Sequence, residues 1–316
     1  MNNDAKHIIL GAGGAIGRVL ADELIANRKK IKLVSRSGRS LPEAESAAAD
    51  LTDFGAIKGV IEESSVVYLL AGLPYDRNIW KVQWPLIMRN VANACAVHRA
   101  KLIFFDNVYM YGRAKGAMTE ETPINPCSAK GEIRAQIAEY LLSQMKEGNI
   151  TAMIARSADF YGPFAEGSSV PFLLVFKRLA RGTKAQCLVN AKTRHSYTYT
   201  GDCGKALYLL ATANEAYNQV WHLPTAAPPL TGEEFIKIAA ASLGAKPGYI
   251  VLKKWMARFG GIFNKLVAES YEMLYQNEFD YIFDSSKFER KFNFKPTSYE
   301  KGIIETIRHF KERKLL

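Results

Sequence analysis

The segment Ile8-Ile9-Leu10-Gly11-Ala12-Gly13-Gly14-Ala15-Ile16-Gly17-Arg18 leaves this chain few ways to fold. A short apolar run meets a cluster of glycines and then a stretch with helical periodicity, so a strand must pass into a helix through a tight turn. Gly11, Gly14 and Gly17 carry a G-x-x-G-x-x-G spacing. One glycine permits the turn, another lets the backbone approach a pyrophosphate, and the last lets helix and sheet pack closely. The first helical turn, with Ala15 and Ile16, then offers unpaired N–H groups and a favourable dipole to phosphate oxygens. Glycine spacing alone is weak evidence. Placed after a strand, before an amphipathic helix and at the start of an alternating series, it is strong.

The series follows at once. Apolar runs at 7–10, 31–34, up to about 50, 66–70, 102–105 and 151–155 alternate with helical stretches at 14–28, from 53, up to 99, and at 128–146. Strands alternating with helices predict βαβ units, right-handed crossovers and a parallel sheet covered on both faces. The expected class is α/β, a Rossmann-type doubly wound parallel sheet with a smaller C-terminal substrate lobe. Residues 1–156 are assigned to the nucleotide-binding domain and 157–316 to the interleaved lobe, with the final sheet strands allowed to come from 157–225. Open α/β sheets bind ligands at their C-terminal edge, where that lobe is placed. The aromatic residues Trp255, Phe259, Phe263, Tyr271, Tyr275, Phe279 and Tyr281 read as its core, with the lining of an apolar substrate pocket as the alternative.

Composition narrows the class of partner. At 316 residues and 48% hydrophobic content the chain can bury a large core, and it holds no run of about 18 apolar residues that would cross a bilayer. Its polar start runs straight into the first strand, unlike a signal peptide. Cys95, Cys127, Cys187 and Cys203 form no C-x-x-C pair, and the five histidines show no ligand spacing, so the expectation is a reduced, cytoplasmic protein without a metal. His195 has the best local case among the histidines, and an ordinary strand or loop role is its plainer reading. The net charge of +11 could serve nucleic acid. Basic residues are spread out and do not interleave with aromatics, so a polyphosphate ligand explains the charge more simply. A small-molecule substrate is expected, with no membrane partner and with a homodimer open. No G-x-S-x-G elbow occurs, which speaks against an α/β-hydrolase.

The end of the second strand reads Leu33-Val34-Ser35-Arg36-Ser37, with Arg39 close by. NAD-specific sites place a carboxylate here for the ribose 2′-hydroxyl. Ser35 and Arg36 instead suit a 2′-phosphate, so NADP(H) is expected in preference to NAD(H). A plain surface role for Arg36 is the alternative.

With these residues in view, the whole chain resembles the extended short-chain dehydrogenase/reductase superfamily, in its NAD(P)-dependent epimerase/dehydratase branch. Asp50-Leu51-Thr52-Asp53 resembles that family's adenine-contacting turn, and Leu69-Leu70-Ala71-Gly72 its cofactor edge after the fourth strand. Asp106-Asn107-Val108-Tyr109-Met110-Tyr111-Gly112 stands where the family has S-S-x-x-V-Y-G, and Arg156 to Pro163 matches R-x-x-x-x-Y-G-P. Arg194 to Asp202, Asp284-Ser285-Ser286-Lys287 and Phe294-Lys295-Pro296-Thr297 resemble later family segments. The resemblance implies hydride transfer to or from a carbonyl, alcohol or sugar-like substrate.

It also implies a serine or threonine with a Y-x-x-x-K pair on one helix, whose ammonium lowers the phenol's pKa and binds the nicotinamide ribose. Here Asn107 falls at the serine, Lys130 at the tyrosine and Arg134 at the lysine. All three depart from the pattern. One reading keeps hydride chemistry, with Lys130, one turn from Arg134, or else Tyr109 or Tyr111, supplying the proton. Another keeps NADP(H) in a non-catalytic redox sensor. Arg134 is read either as a ribose-binding cation or as a helix-surface residue paired with Glu132 or Glu139, and Asn107 as a substrate-carbonyl donor or a turn cap. The literal Tyr111-x-x-x-Lys115 contains Gly112 and lacks the helix such a pair needs.

Overall fold

A computed structural model describes residues 5–38 and 41–316. Arg39 lies outside the described residues, as do the first four of the polar start. The strands β1 (His7–Leu10), β2 (Ile31–Ser35), β3 (Glu45–Ala48), β4 (Val66–Leu69), β5 (Lys101–Asp106), β6 (Ala152–Arg156) and β7 (Val220–His222) form one sheet in the order β7-β6-β5-β4-β1-β2-β3. Every pairing within it is parallel. Order reverses beside β1, and the ligand crevice of such a sheet opens at that switch point.

Helices α1 (Ala15–Ala26), α2 (Phe54–Val60), α3 (Arg77–Val97), α4 (Ala129–Lys146) and α5 (Thr200–Thr212) cover the two faces. Their local chemistry sets their starts: Asp53, Asp76 and Ser128 each accept from backbone N–H groups of the following turn and cap α2, α3 and α4. The central strands are mostly apolar because both faces are buried, and Ile8, Ile9 and Leu10 have no exposed surface. Each such side chain contributes about 1.5–3 kcal/mol of burial free energy. On one face Ile8, Leu69 and Phe104 pack with Trp84 and Ile133; on the other Ile9 and Tyr68 pack with Leu20 and Leu207.

Beyond β6 the chain builds a separate apolar cluster, in which Tyr161, Phe176 and Phe235 of helix α6 (Gly232–Leu243) pack against Ile303 and Phe310 of helix α9 (Tyr299–Glu312). Between α6 and α9 lie α7 (Lys254–Gly260), α8 (Lys265–Ser270) and a further short helix over Ser286–Phe292. Here the aromatic run corrects the sequence reading. Tyr275 and Tyr281 are buried as expected, whereas Trp255, Phe259 and Phe263 are exposed and lie outside the core. Periodicity marked the segment helical but could not say which face had a partner.

Candidate functional site

The switch point opens into a cleft of about 460 Å³ bounded by the ends of β1, β2 and β4. Its floor is the glycine loop. Gly11 adopts φ +94°, and a Cβ there would lie 2.6 Å from the Ala71 backbone, so no other residue fits. A Cβ on Gly17 would lie 2.9 Å from Ala12 Cα and from the Gly11 carbonyl, which is the close helix–sheet approach expected of it. Gly13 and Gly14 face the cleft, and a Cβ on Gly13 would meet no protein atom within 4 Å. Above them α1 begins at Gly14 with no side-chain cap and no acidic residue in its first turn. That leaves backbone donors and the positive end of the dipole to an anion.

Gly11, Gly14, Ser35, Arg36, Asp50, Leu51, Ala71 and Gly72 all line this cleft. Ala15, Ile16, Gly17 and Leu70 do not: all four are buried, and any role is through the backbone. No acidic residue from β2 lines the cleft, and Arg36 is exposed there. Its charge, after two hydrogen bonds from Thr52, helps hold the Asp50 carboxyl below its ordinary value. The turn itself is fixed from α3, where buried Asn90 donates to the Leu51 and Thr52 carbonyls at 3.3 and 3.0 Å. Sequence reading missed Gly13, Gln83 and Ile87 as lining residues. Gln83 lies on α3, far from the glycine loop in sequence, and no local signal marks it.

The expected catalytic residues divide into separate environments. Asn107 accepts from Tyr109 N at 3.0 Å and so caps the turn after β5. Tyr75 and Tyr109 lie close enough to act electrostatically on each other, and Asp159 acts on both phenols. Burial, with Tyr75 and Asp159 adding to it, holds the Tyr109 phenol well above its ordinary value. At neutral pH it is a proton donor and not a base. The exit of β4 links this pair to the cleft, since Ala71, Gly72 and Leu73 line it and Tyr75 follows. Tyr75 was not singled out from the sequence, although an aromatic just past a strand's C-terminal end is a readable signal.

Lys130 is fully buried, with its Nζ over the Tyr75 ring at 4.6 Å. It donates to Glu269 Oε2 at 2.5 Å, the Glu269 carbonyl at 2.9 Å and Glu272 Oε1 at 3.0 Å. The same carboxylates accept from Arg77 N and Ala129 N, the first residues of α3 and α4, where the helix dipoles favour them. Arg134 corrects one expectation. It does not lie on the helix surface with Glu132 or Glu139, but is buried, ion-paired with Asp106 and 4.5 Å from the Trp84 ring centroid, and it is not among the residues lining the cleft. Lys130 and Arg134 thus have separate carboxylate partners.

Tyr111 lies away from the cleft as well. Its hydroxyl accepts from Arg156 Nη1 and donates to His222 Nε2, both at 2.7 Å, while His222 Nδ1 donates to the Asp284 carbonyl at 2.8 Å. Burial pushes the phenol up to about 12 and the imidazole down to about 3, so both stay neutral at physiological pH. His195 is an internal residue too, bonded through Nε2 to Asp159 Oδ2 at 3.0 Å and stacked on Tyr281.

A family model for the NAD dependent epimerase/dehydratase family matches residues 7–222. A dTDP-4-dehydrorhamnose reductase of Mycolicibacterium smegmatis is 28% identical over 214 residues, which are 63% of this chain and 58% of that protein. The chain therefore matches less than two thirds of that relative's length. The fold superposes on Thermus thermophilus UDP-glucose 4-epimerase in complex with NAD at a TM-score of 0.77 and 16% identity, covering 97% of this chain and 99% of that one. It superposes on Bacillus anthracis dTDP-glucose 4,6-dehydratase in complex with NAD at 0.79 and 15% identity, covering 98% and 97%. The seven-stranded parallel sheet, the glycine cleft at its switch point and the matched span of 7–222 together place this chain in the NAD dependent epimerase/dehydratase family.

Proposed function

We propose that this protein binds NADP(H) in preference to NAD(H) and works on a carbonyl, alcohol or sugar-like substrate held between the cleft and the lobe formed by 157–316. The observation that carries the cofactor choice is Arg36 in the cleft wall beside Ser35, with no carboxylate from β2. A guanidinium attracts a 2′-phosphate that a carboxylate would repel. Gly13, Gly14 and the start of α1 would hold the pyrophosphate, and the Asp50–Thr52 turn the adenine. A bound nicotinamide would accept or supply hydride.

The chain's own part is proton transfer and positioning. Tyr109, just past the end of β5 and protonated at neutral pH, is the donor we assign, although burial raises its pKa and weakens it as an acid. Lys130 would act through Tyr75, holding that ring in place from its carboxylate clamp. A second reading rests on a specific observation: Lys130 and Arg134, at the positions the family resemblance assigns to its tyrosine and lysine, are both occupied by internal carboxylates. Under that reading the protein is a non-catalytic redox sensor.

Titration with NADPH, NADP⁺ and NADH, followed by nicotinamide fluorescence, tests the proposal. NADPH binding at least about tenfold tighter than NADH supports it, since charge-assisted bonds to the phosphate are worth about 1.5–3 kcal/mol. Equal affinities would remove the NADP(H) assignment. A strong preference for one redox form, with no turnover on any carbonyl or nucleotide-sugar substrate, would favour the sensor.

A further inference from the structure

From Ile250 to Ala268 the chain has no acidic residue and carries Lys253, Lys254, Arg258 and Lys265. After a strand that ends at Leu252, this stretch forms α7, a tight turn and α8, and neither helix contributes a buried residue. Its large apolar side chains point outward: Trp255 is 71% exposed, Phe259 61%, Ile262 73%, Phe263 78% and Leu266 52%. Trp255 and Phe259 stand four residues apart on one helical face, and the Phe259 and Phe263 rings touch at 5.5 Å between centroids. Five contiguous large hydrophobes held in water cost free energy that an isolated exposed leucine does not.

The charges around the patch say what it meets. The carboxylates beside it are engaged in ion pairs. Asp76 pairs with Lys265, Glu278 with Lys254 and Arg113, and Glu269 and Glu272 with the buried Lys130. Lys253 and Arg258 are exposed and have no carboxylate partner among the described residues. An aromatic and aliphatic face with uncompensated cations beside it is the composition of segments that lie in the interface of an anionic bilayer. A flat lipid surface also needs no matching pocket, unlike a folded partner.

We infer that the 253–266 helical hairpin docks this protein peripherally on an anionic lipid surface, with Trp255, Phe259, Ile262 and Phe263 entering the headgroup boundary. No helix among the described residues is long and apolar enough to cross a membrane, so the contact is one of surface only. The inference is independent of the cofactor and of the reaction.

The test uses the full chain with vesicles of phosphatidylcholine alone and with phosphatidylserine added. Of the four tryptophans, Trp80, Trp84 and Trp221 are buried, so a change in the emission of exposed tryptophan reports Trp255. Anionic vesicles are expected to blue-shift the emission and to co-sediment the protein. Phe259→Glu with Phe263→Glu should abolish both effects and leave nicotinamide binding intact. Lys253→Glu or Arg258→Glu should weaken partitioning at least about fivefold per cation removed. Unshifted emission with no sedimentation overturns the inference, and so does equal binding to neutral vesicles. Self-association that shields Trp255 without lipid would also overturn it, because a second copy would then cover the patch.

Discussion

Arg134 Nε donates to Asp106 Oδ1 at 2.8 Å inside the core, and Nη2 donates to the same oxygen. Arg156 Nε approaches the other carboxylate oxygen at 3.5 Å, so one buried anion serves two guanidinium groups. Removing it would leave both cations without compensation in a medium that solvates them poorly. Asp106→Asn is expected to cost about 3–5 kcal/mol of stability. Urea denaturation measures this, and a loss below about 1 kcal/mol would mean the pair contributes little.

The cleft wall gives the cofactor prediction. Arg36→Ala should weaken NADPH about tenfold or more and leave NADH nearly unchanged, because only the 2′-phosphate loses a partner. Isothermal titration with both cofactors separates the cases. Equal losses for the two would point to a general change in the cleft.

Gly13 and Gly17 should respond differently to the same added methyl. Gly17→Ala puts a Cβ 2.9 Å from Ala12 Cα and should lower stability as well as cofactor affinity. Gly13→Ala meets no protein atom within 4 Å, so the fold should keep its midpoint while affinity falls. Thermal melts of the two apo variants beside their NADPH affinities check this, and an unchanged affinity in Gly13→Ala would mean the cradle is not used.

Tyr109→Phe removes the proposed donor and keeps the ring. In an enzyme, kcat should fall by about 10²–10⁴ with NADPH affinity preserved. If only stability moves, Tyr109 supports the fold and the proton comes from elsewhere.

His7 and His222 are buried and neutral, with burial pushing their imidazoles down to about 4 and about 3. The unfolded chain binds protons at both sites from about pH 6.5 downward, while the folded chain does not until near pH 4. Stability is therefore present in full above pH 6.5 and falls as pH drops towards the folded values. At pH 5 the loss is about 2 kcal/mol for each histidine. Urea melts at pH 7 and pH 5 should show it, and His222→Asn should flatten the slope between them.

What could be read from the sequence was local. The turn through Gly11, Gly14 and Gly17, the helix starts near 53 and 128, and the apolar strands each depend on neighbours a few residues away. The alternation of strand and helix then left little freedom in the order of the sheet. The cleft wall at Ser35, Arg36 and Asp50 was legible because each stands at the end of a strand or in the turn that follows it. The partners of the charged residues were not. Lys130 meets Glu269 and Glu272 across some 140 positions of chain, and Arg134 reaches back across 28 to Asp106. Nothing near Lys130 or Arg134 in sequence says that a carboxylate will arrive from so far away. The exposed Trp255, Phe259 and Phe263 failed for a related reason, since a helical period identifies a face but not its neighbour.

The position of β7 constrains how this architecture can be altered. Val220–His222 is laid against β6 after more than sixty residues of excursion, and the chain then leaves again to supply α6 and α9. The outer lobe is thus stitched through the sheet in two passes. Exchanging the whole lobe would carry this edge strand with it and would have to match the register Trp221 against Ala155, whereas an exchange beginning after His222 would not.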